Sequence, residues 1–356
     1  MDNDPRSVAT VGDTIAAWRV VRNGPPREAL ELLEVPTPQP GPGEVLVRTR
    51  ATVCNYNEVD GCHGRYLTIN PPLPYTLGME LVGDVIAAGP GADGWLGKRV
   101  IATSTGAIGA HAEASVAPVE MTFEAPGELD DTDAAAFFYP FHLAYLGLHE
   151  RARIQAGETV LVHAAAGGVG SAAVQLAVAA GCRVIATAGS ADKLDVARSL
   201  GADVAIDYRT TSFVDGVLDA TDGRGVDVCF DGVGGDVMVQ SLRCLARNGR
   251  HVVVGFASGI EAEEVPLVTG RMLCFGNISV MGVILSYRDP ASVPPGAGYN
   301  PVPREVGLQV HDRVTELLRA GRIRPLVGKT VSYRELPDAL GEMEARATIG
   351  RTVVRW

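Results

Sequence analysis

The chain has 356 residues, a length that fits roughly two domains of about 150 residues each. Hydrophobic residues make up 46% and charged residues 21%, enough apolar material for packed cores, which excludes a disordered or fibrous chain. Thirty-one Lys and Arg against 42 Asp and Glu leave a net charge of −11, which repels nucleic-acid phosphates and anionic membrane surfaces, so neither is expected as a partner.

The N-terminal MDNDPRSVATVGDT is polar and lacks a basic stretch followed by an apolar run, so residues 1–14 read as a loose tail and not as a signal peptide. Without a secretory signal the six cysteines, at 54, 62, 182, 229, 244 and 274, are expected to be reduced, and a cytoplasmic location follows. They show no close metal-ligand spacing, and no metal site is expected, Cys54, Cys62 and His63 included. From Ile15 to about Phe123, short apolar runs such as IAAWRVV, EVLVRTRATV, ELVGDVIAAG and GKRVIATS are broken by Gly and Pro. They predict a small, strongly bent β domain.

Near Asp131 the texture changes. DTDAAAFFYPFHLAYLGLHERA opens with Asp and Thr at capping positions and continues with helical spacing. Six strand-like runs follow (ETVLVHA, CRVIATA, DVAIDY, VDVCFDGV, RHVVVGF and NISVMGV), separated by helical segments at 169–180, 193–200, 212–220, 237–247 and 267–275. This alternation predicts a doubly wound, Rossmann-type parallel sheet of six strands covered by helices. After Val283 comes a Pro- and Gly-rich loop over 289–303, then a helix over about 305–320, the strand-like IRPLVGKTVSY, a helix in PDALGEMEA and a last strand, TVVRW. That tail is too short for a domain of its own and is expected to complete the N-terminal one. The expected division is therefore 15–140 with 285–356 as one domain and 141–284 as the other.

The strongest motif is VLVHAAAGGVGSAAVQLAVAAG, where a strand ends at His163 and Ala164, Gly167 and Gly170 stand at AxxGxxG spacing before a helix. Gly167 and Gly168 permit a tight turn that brings backbone near a pyrophosphate, Gly170 permits close helix–strand packing, and the helix N-terminus offers N–H groups to phosphate oxygens. The segment predicts a dinucleotide site. At the tip of the second strand, an NAD site would carry an Asp or Glu for the ribose 2′-hydroxyl. Here the tip reads Ala188-Gly189-Ser190, with Lys193 one turn later, leaving room and charge for a 2′-phosphate, so NADPH is the expected cofactor. Ser190 also reads as a helix cap.

At these residues the sequence resembles the zinc-independent quinone oxidoreductases of the medium-chain dehydrogenase/reductase superfamily. HAAAGGVGSAAVQLA, LGADVAIDY, VDVCFDGVGGD, VVVGFASG and EARATIGRTVV match that family in order and at similar spacing, over about 15–356. The resemblance implies that the β domain is GroES-like and holds the catalytic groups. It places Lys193, Tyr208 and Arg346 around the adenosine 2′-phosphate. Gly167, Gly168, Val169 and Gly170 fall at the pyrophosphate turn, Gly232 and Val233 in the loop after the fourth strand, and Gly255 and Phe256 beside the nicotinamide. It places Asn55 and Tyr66 at the cleft over the nicotinamide, and implies a homodimer paired through the NISVMGV edge strand.

The departures matter too. A zinc-dependent relative would carry Cys at Asn55 and Gly-His-Glu where Gly78-Met79-Glu80 stands, and Asn and Met are poor substitutes for thiolate and imidazole. Leu143 replaces a Thr that many members place next to the nicotinamide. Asp60 replaces a Tyr of the cleft, and reads equally as a salt-bridge or turn residue. The expected activity is NADPH-dependent hydride transfer to a quinone or an α,β-unsaturated carbonyl, with Asn55 and Tyr66 donating to the acceptor oxygen and the proton coming from solvent, His63 or Asp60. Two alternatives stay open: an enoyl-thioester reductase of fatty-acid or polyketide synthesis, and a cofactor-binding scaffold or sensor with little turnover.

Overall fold

A computed structural model describes residues 11–65, 71–258 and 268–356. By contact, the chain divides into two units, residues 1–138 with 327–356 and residues 139–326.

In the first unit, β1 (Thr14–Val20) pairs antiparallel with β2 (Leu30–Pro36), and a four-residue helix, α1 (Pro26–Ala29), connects them. β3 (Glu44–Val53) runs into α2 (Tyr56–Cys62), and the two-residue β4 (Tyr75–Thr76) returns to β1. β5 (Glu80–Ala88), β6 (Arg99–Thr103), β7 (Ala114–Pro118) and β8 (Thr122–Glu124) wrap around β3. β3 is buried at all but Glu44, Arg48 and Arg50, as expected of a central strand covered on both faces over most of its length. The short helix α3 (Asp131–Ala135) is capped by the Asp130 side chain, which accepts from Asp133 N at 2.8 Å.

Helical spacing suggests one continuous helix from Asp131 to Ala152, but the chain breaks it. α3 ends at Ala136, and α4 (Phe138–Tyr145) starts afresh before passing into a π-helical turn over 146–151. Pro140 is the reason: a proline within a continued helix would lack its N–H and press on the carbonyl four residues back, which belongs to Ala136. The break falls at that residue.

The second unit contains β9 (Thr159–Val162), α5 (Gly168–Ala179), β10 (Arg183–Ala188), α6 (Ala191–Ser199), β11 (Val204–Asp207) and α7 (Phe213–Ala220). β12 (Val226–Asp231), α8 (Gly235–Leu242), β13 (Leu245–Val253), α9 (Gly270–Gly276) and β14 (Ser279–Gly282) follow. The sheet order is β11-β10-β9-β12-β13-β14, with every pair parallel. This is the Rossmann order, reversing direction between β9 and β12, the point at which such sheets bind ligands beyond their carboxyl ends. Leu161, Ile185, Val217, Val226, Cys229 and Phe213 form a buried cluster under this sheet.

Residues 285–326 were expected with the β domain, yet they make their contacts in the second unit. α10 (Arg304–Arg319) follows the Pro- and Gly-rich loop, whose base is closed by Arg288 N donating to Val302 O (2.9 Å) and Val302 N to Ser286 O (2.8 Å). Beyond α10, Arg324 N donates to Gln175 Oε1 (2.8 Å), and Gln175 Nε2 donates back to Arg324 O (3.0 Å), which pins the segment to α5. The chain rejoins the first unit only at β15 (Val327–Ser332), then α11 (Leu336–Glu344) and β16 (Arg351–Arg355). β16 pairs antiparallel with β3, completing a sheet begun three hundred residues earlier.

Candidate functional site

In the second unit, β9 is followed by a turn in which Ala164 takes φ of +50° and Gly167 N donates to Ala164 O at 2.9 Å. Gly167 is the N-cap of α5 and supplies no side chain, so the first-turn N–H groups at Gly168 and Val169 are left for a ligand. A Cβ at Gly170 would overlap the carbonyl oxygen of Ala164, so only glycine brings the helix this close to the strand end. The backbone therefore forms the cradle that a pyrophosphate requires.

His163 braces this turn from below. Its Nδ1 lies 2.9 Å from Thr187 Oγ1 and its Nε2 2.8 Å from Ser241 Oγ. Ser241 already donates to Val237 O (2.7 Å), so it accepts from Nε2–H, and Nδ1 accepts from Thr187. Burial pushes the imidazole down to about 4, so it stays neutral and ties β9, β10 and α8 together.

The sequence reading missed Asp231, at the end of β12. Its Oδ1 accepts from Val233 N (2.7 Å) and Gly234 N (3.1 Å), and its Oδ2 faces His251 Nε2 (3.1 Å). Burial opposes the charge, but the hydrogen bonds from His251 and the Val233 amide outweigh it and hold the carboxyl below its usual range. The carboxylate so shapes the loop through Gly232 and Val233. That loop lies beside the one leaving β13, with Ala257 N donating to Gly232 O (3.1 Å) and Ser258 N to Val233 O (2.8 Å). Gly255 and Phe256 belong to the latter loop, and Phe256 is 37% exposed. An Asp closing the fourth strand before a glycine loop was visible in VDVCFDGVGGD; its partner His251 was not.

At the β10 tip, Ser190 caps α6 by accepting from Lys193 N (3.4 Å), and Tyr208 N donates to Ala188 O (3.3 Å). Ser190, Lys193 and Tyr208 thus gather at one corner. Arg346 stands in the first unit, after α11, with φ of +56°.

The first unit carries the expected catalytic residues. Asn55 precedes α2, Asp60 lies within it and His63 ends it. Asn55 is 6% exposed; its Oδ1 accepts from Arg351 Nη1 (3.0 Å), and its Nδ2 reaches Glu58 Oε1 (3.3 Å) and Val53 O (3.4 Å). Arg351 also pairs with Glu80, whose carboxyl burial pushes up and Arg351 pulls back only in part. Glu58 accepts from Asn55 N and Met79 N (3.1 Å each) and faces His111 Nε2 (3.1 Å), while His111 Nδ1 meets Thr52 Oγ1 (2.8 Å). Asp60 Oδ1 pairs with Arg65 Nη2 (3.1 Å), and His63 Nε2 with Glu344 Oε1 (2.7 Å). The three residues share a helix, but each turns to a different partner. Tyr66 lies outside the described residues. Leu143 is buried in α4.

Among the described residues no three His, Cys, Asp or Glu side chains stand together as a metal-holding group. Burial pushes the Cys62 thiol up to about 12 and Cys54 well above its ordinary value. No helix among the described residues is long and apolar enough to cross a membrane.

Residues 41–127 match the alcohol dehydrogenase GroES-like domain family and residues 168–295 the zinc-binding dehydrogenase family. A quinone oxidoreductase-like protein 2 homolog of Nematostella vectensis is 32% identical over 88% of this chain and 82% of its own. A quinone oxidoreductase of Pseudomonas syringae superimposes with a TM-score of 0.82 at 30% identity, over 96% of this chain and all of the other. A mycobacterial protein solved as a complex with NADPH gives 0.82 at 29% identity, with the same coverage. A mycocerosic acid synthase-like polyketide synthase of Mycolicibacterium smegmatis is 37% identical over 66% of this chain, which spans 11% of that much longer protein. With its GroES-like and nucleotide-type units and relatives matched over most of its length, the chain belongs to the quinone oxidoreductase-like family of the medium-chain dehydrogenase/reductase superfamily.

Proposed function

We propose that the protein is a zinc-independent, NADPH-dependent oxidoreductase that passes hydride to a quinone or an α,β-unsaturated carbonyl. The observation that carries this reading is what stands where a metal-dependent relative carries its Cys and His: Asn55, whose Oδ1 accepts from Arg351 Nη1 (3.0 Å), and Met79, a buried thioether. An amide and a thioether are poor substitutes for thiolate and imidazole as metal ligands. Without a Lewis acid an alcohol is a poor hydride source, whereas a quinone or enone already accepts hydride.

When bound, NADPH supplies the hydride; the chain binds, orients and shields. The α5 N-terminus and the Gly167–Gly170 backbone hold the pyrophosphate. Ser190, Lys193, Tyr208 and Arg346 receive the 2′-phosphate, and Gly232, Val233, Gly255 and Phe256 border the nicotinamide. Asn55 donates to the acceptor oxygen through Nδ2, whose present contacts at 3.3 and 3.4 Å are long enough to yield to a better acceptor. Tyr66 is its partner in this role, and His63 or Asp60 relays the proton.

The test is NADPH oxidation against quinones, enones and α,β-unsaturated thioesters, before and after treatment with a chelator. Turnover of quinones or enones that survives chelation supports the reading, and turnover lost to the chelator overturns it. Thioesters turned over in preference would favour an enoyl reductase, the reading to which the polyketide synthase similarity points. Nucleotide binding with no turnover of any acceptor would leave a scaffold or sensor. If Tyr66→Phe and Asn55→Ala both left turnover unchanged, their assigned roles would be wrong.

We also propose a homodimer, on the grounds that β14 closes one edge of its sheet with no strand beyond it among the described residues and Phe275, just before it, is 83% exposed. Free cysteines, five of the six buried, suit a reducing cytoplasm.

A further inference from the structure

The β10 tip holds one cation that neither the glycine turn nor the family resemblance singles out. β11 runs beside β10 with Asp207 opposite Ala188, and the chain leaves it as Asp207-Tyr208-Arg209. Asp207 Oδ1 accepts from Arg209 N at 2.9 Å, which turns the chain at this point. The Arg209 side chain folds back across the tip, where Nη1 donates to Gly189 O at 3.2 Å. The close approach explains why position 189 is glycine. A Cβ there would lie 2.5 Å from Tyr208 Oη and 3.4 Å from Arg209 Cδ.

We infer that Arg209 is a specificity-determining residue that binds the 2′-phosphate of NADPH. The inference rests on the NADPH reading above and adds to it a residue that the reading did not include. Charge at the corner supports it. The elements that meet there carry two carboxylates, Asp192 in the first turn of α6 and Asp207 at the end of β11, against Lys193. Without Arg209 these three side chains carry a net negative charge, which repels a phosphate. Arg209 brings it to neutrality, and an anchored guanidinium presents several N–H donors in a fixed fork suited to phosphate oxygens. A ribose 2′-hydroxyl carries no charge and gains little from that fork.

The test compares the intact protein with Arg209→Ala and Arg209→Gln, both surface changes. It measures affinities for NADPH and NADH by fluorescence, and for adenosine 2′,5′-bisphosphate and 5′-AMP by calorimetry. Both variants are expected to bind the two 2′-phosphorylated nucleotides about 10-fold more weakly, while NADH and 5′-AMP move less than about two-fold. Glutamine can still donate to Gly189 O, so wild-type affinity in Arg209→Gln would show that the residue only props the tip, and would overturn the inference. An equal loss for all four ligands, or no loss for any, overturns it too. A wild-type protein that fails to prefer the 2′-phosphorylated nucleotides overturns the NADPH reading, and the inference with it.

Discussion

Single residues set the nucleotide half of the molecule, and the clearest is Gly170. Because a Cβ there would overlap Ala164 O, a backbone atom that cannot step aside, Gly170→Ala forces helix and strand apart. The expected cost is about 1–3 kcal/mol of stability, read as a lower denaturation midpoint, with a larger proportional loss of NADPH affinity. A variant with wild-type midpoint and affinity would refute the close packing. Protons act at the same scale. His163 is held down to about 4, whereas in an unfolded chain it titrates near 6.5. Between those values the unfolded chain takes up a proton that the folded one refuses, so stability falls as pH drops from about 6.5 toward 4, by at most about 3 kcal/mol. Burial lowers His142 in the same direction. Asp231 extends the loss further into acid. Its folded value is depressed, so its contribution is complete above the ordinary carboxylate range and disappears as pH falls through that depressed value. Urea midpoints for the wild type and His163→Gln at pH 7.5 and 4.5 check this: the wild type should lose more between the two, and equal losses would assign the effect elsewhere. The glycines of this half could be read from the sequence because turn and packing demands fall within seven residues. Arg351 could not: it meets Asn55 across 296 positions, and no local pattern links a guanidinium in the last strand to an amide before α2.

Elements carry a different kind of information. The inner strands of the parallel sheet, β9, β10 and β12, were legible because they are buried on both faces and read as continuous apolar runs between turns. The segment after Asp131 was less so, because apolar spacing continues through Ala136 while Pro140 breaks the backbone; period and breaker disagree, and the breaker wins. α10 shows a further limit. Its amphipathic pattern is plain, but the unit to which it belongs is fixed by Gln175 and Arg324, one on α5 and the other beyond α10. At the open edge, β14 and α9 expose Phe275 and leave Met272, Leu273, Val280 and Met281 only half-covered. If a second copy pairs there, Val280→Lys places a charge on each side of the joint and should convert a dimer to a monomer in sedimentation experiments. The melting temperature should fall only by the share that association contributes. A wild-type monomer, or a Lys variant that remains dimeric, would place the contact on another surface or abolish it.

At the scale of the whole chain, the order of segments decides what can fold alone. Residues 139–326 are continuous, contain all six strands of the parallel sheet and enclose their own apolar cluster from Leu161 to Cys244. The first unit is discontinuous: β15 and β16 arrive from the far end of the sequence, and Val331, Leu336, Leu340 and Val354 pack into the same cluster as Trp18, Val20 and Val59. Arg351 enters on β16 as well, so a chain ending at Phe138 would leave Glu80 buried without its guanidinium, and an unpaired buried charge is among the costlier defects a fold can carry. Expressed alone, residues 139–326 should therefore unfold cooperatively and retain nucleotide binding. Residues 1–138 alone should fail to give a cooperative transition, and adding residues 327–356 as a separate peptide should restore one. Circular dichroism melts of the two fragments, with and without the peptide, measure this directly. A sharp transition in 1–138 without the peptide would mean that β16 is an accessory to the β unit, and that Asn55 can be positioned without Arg351.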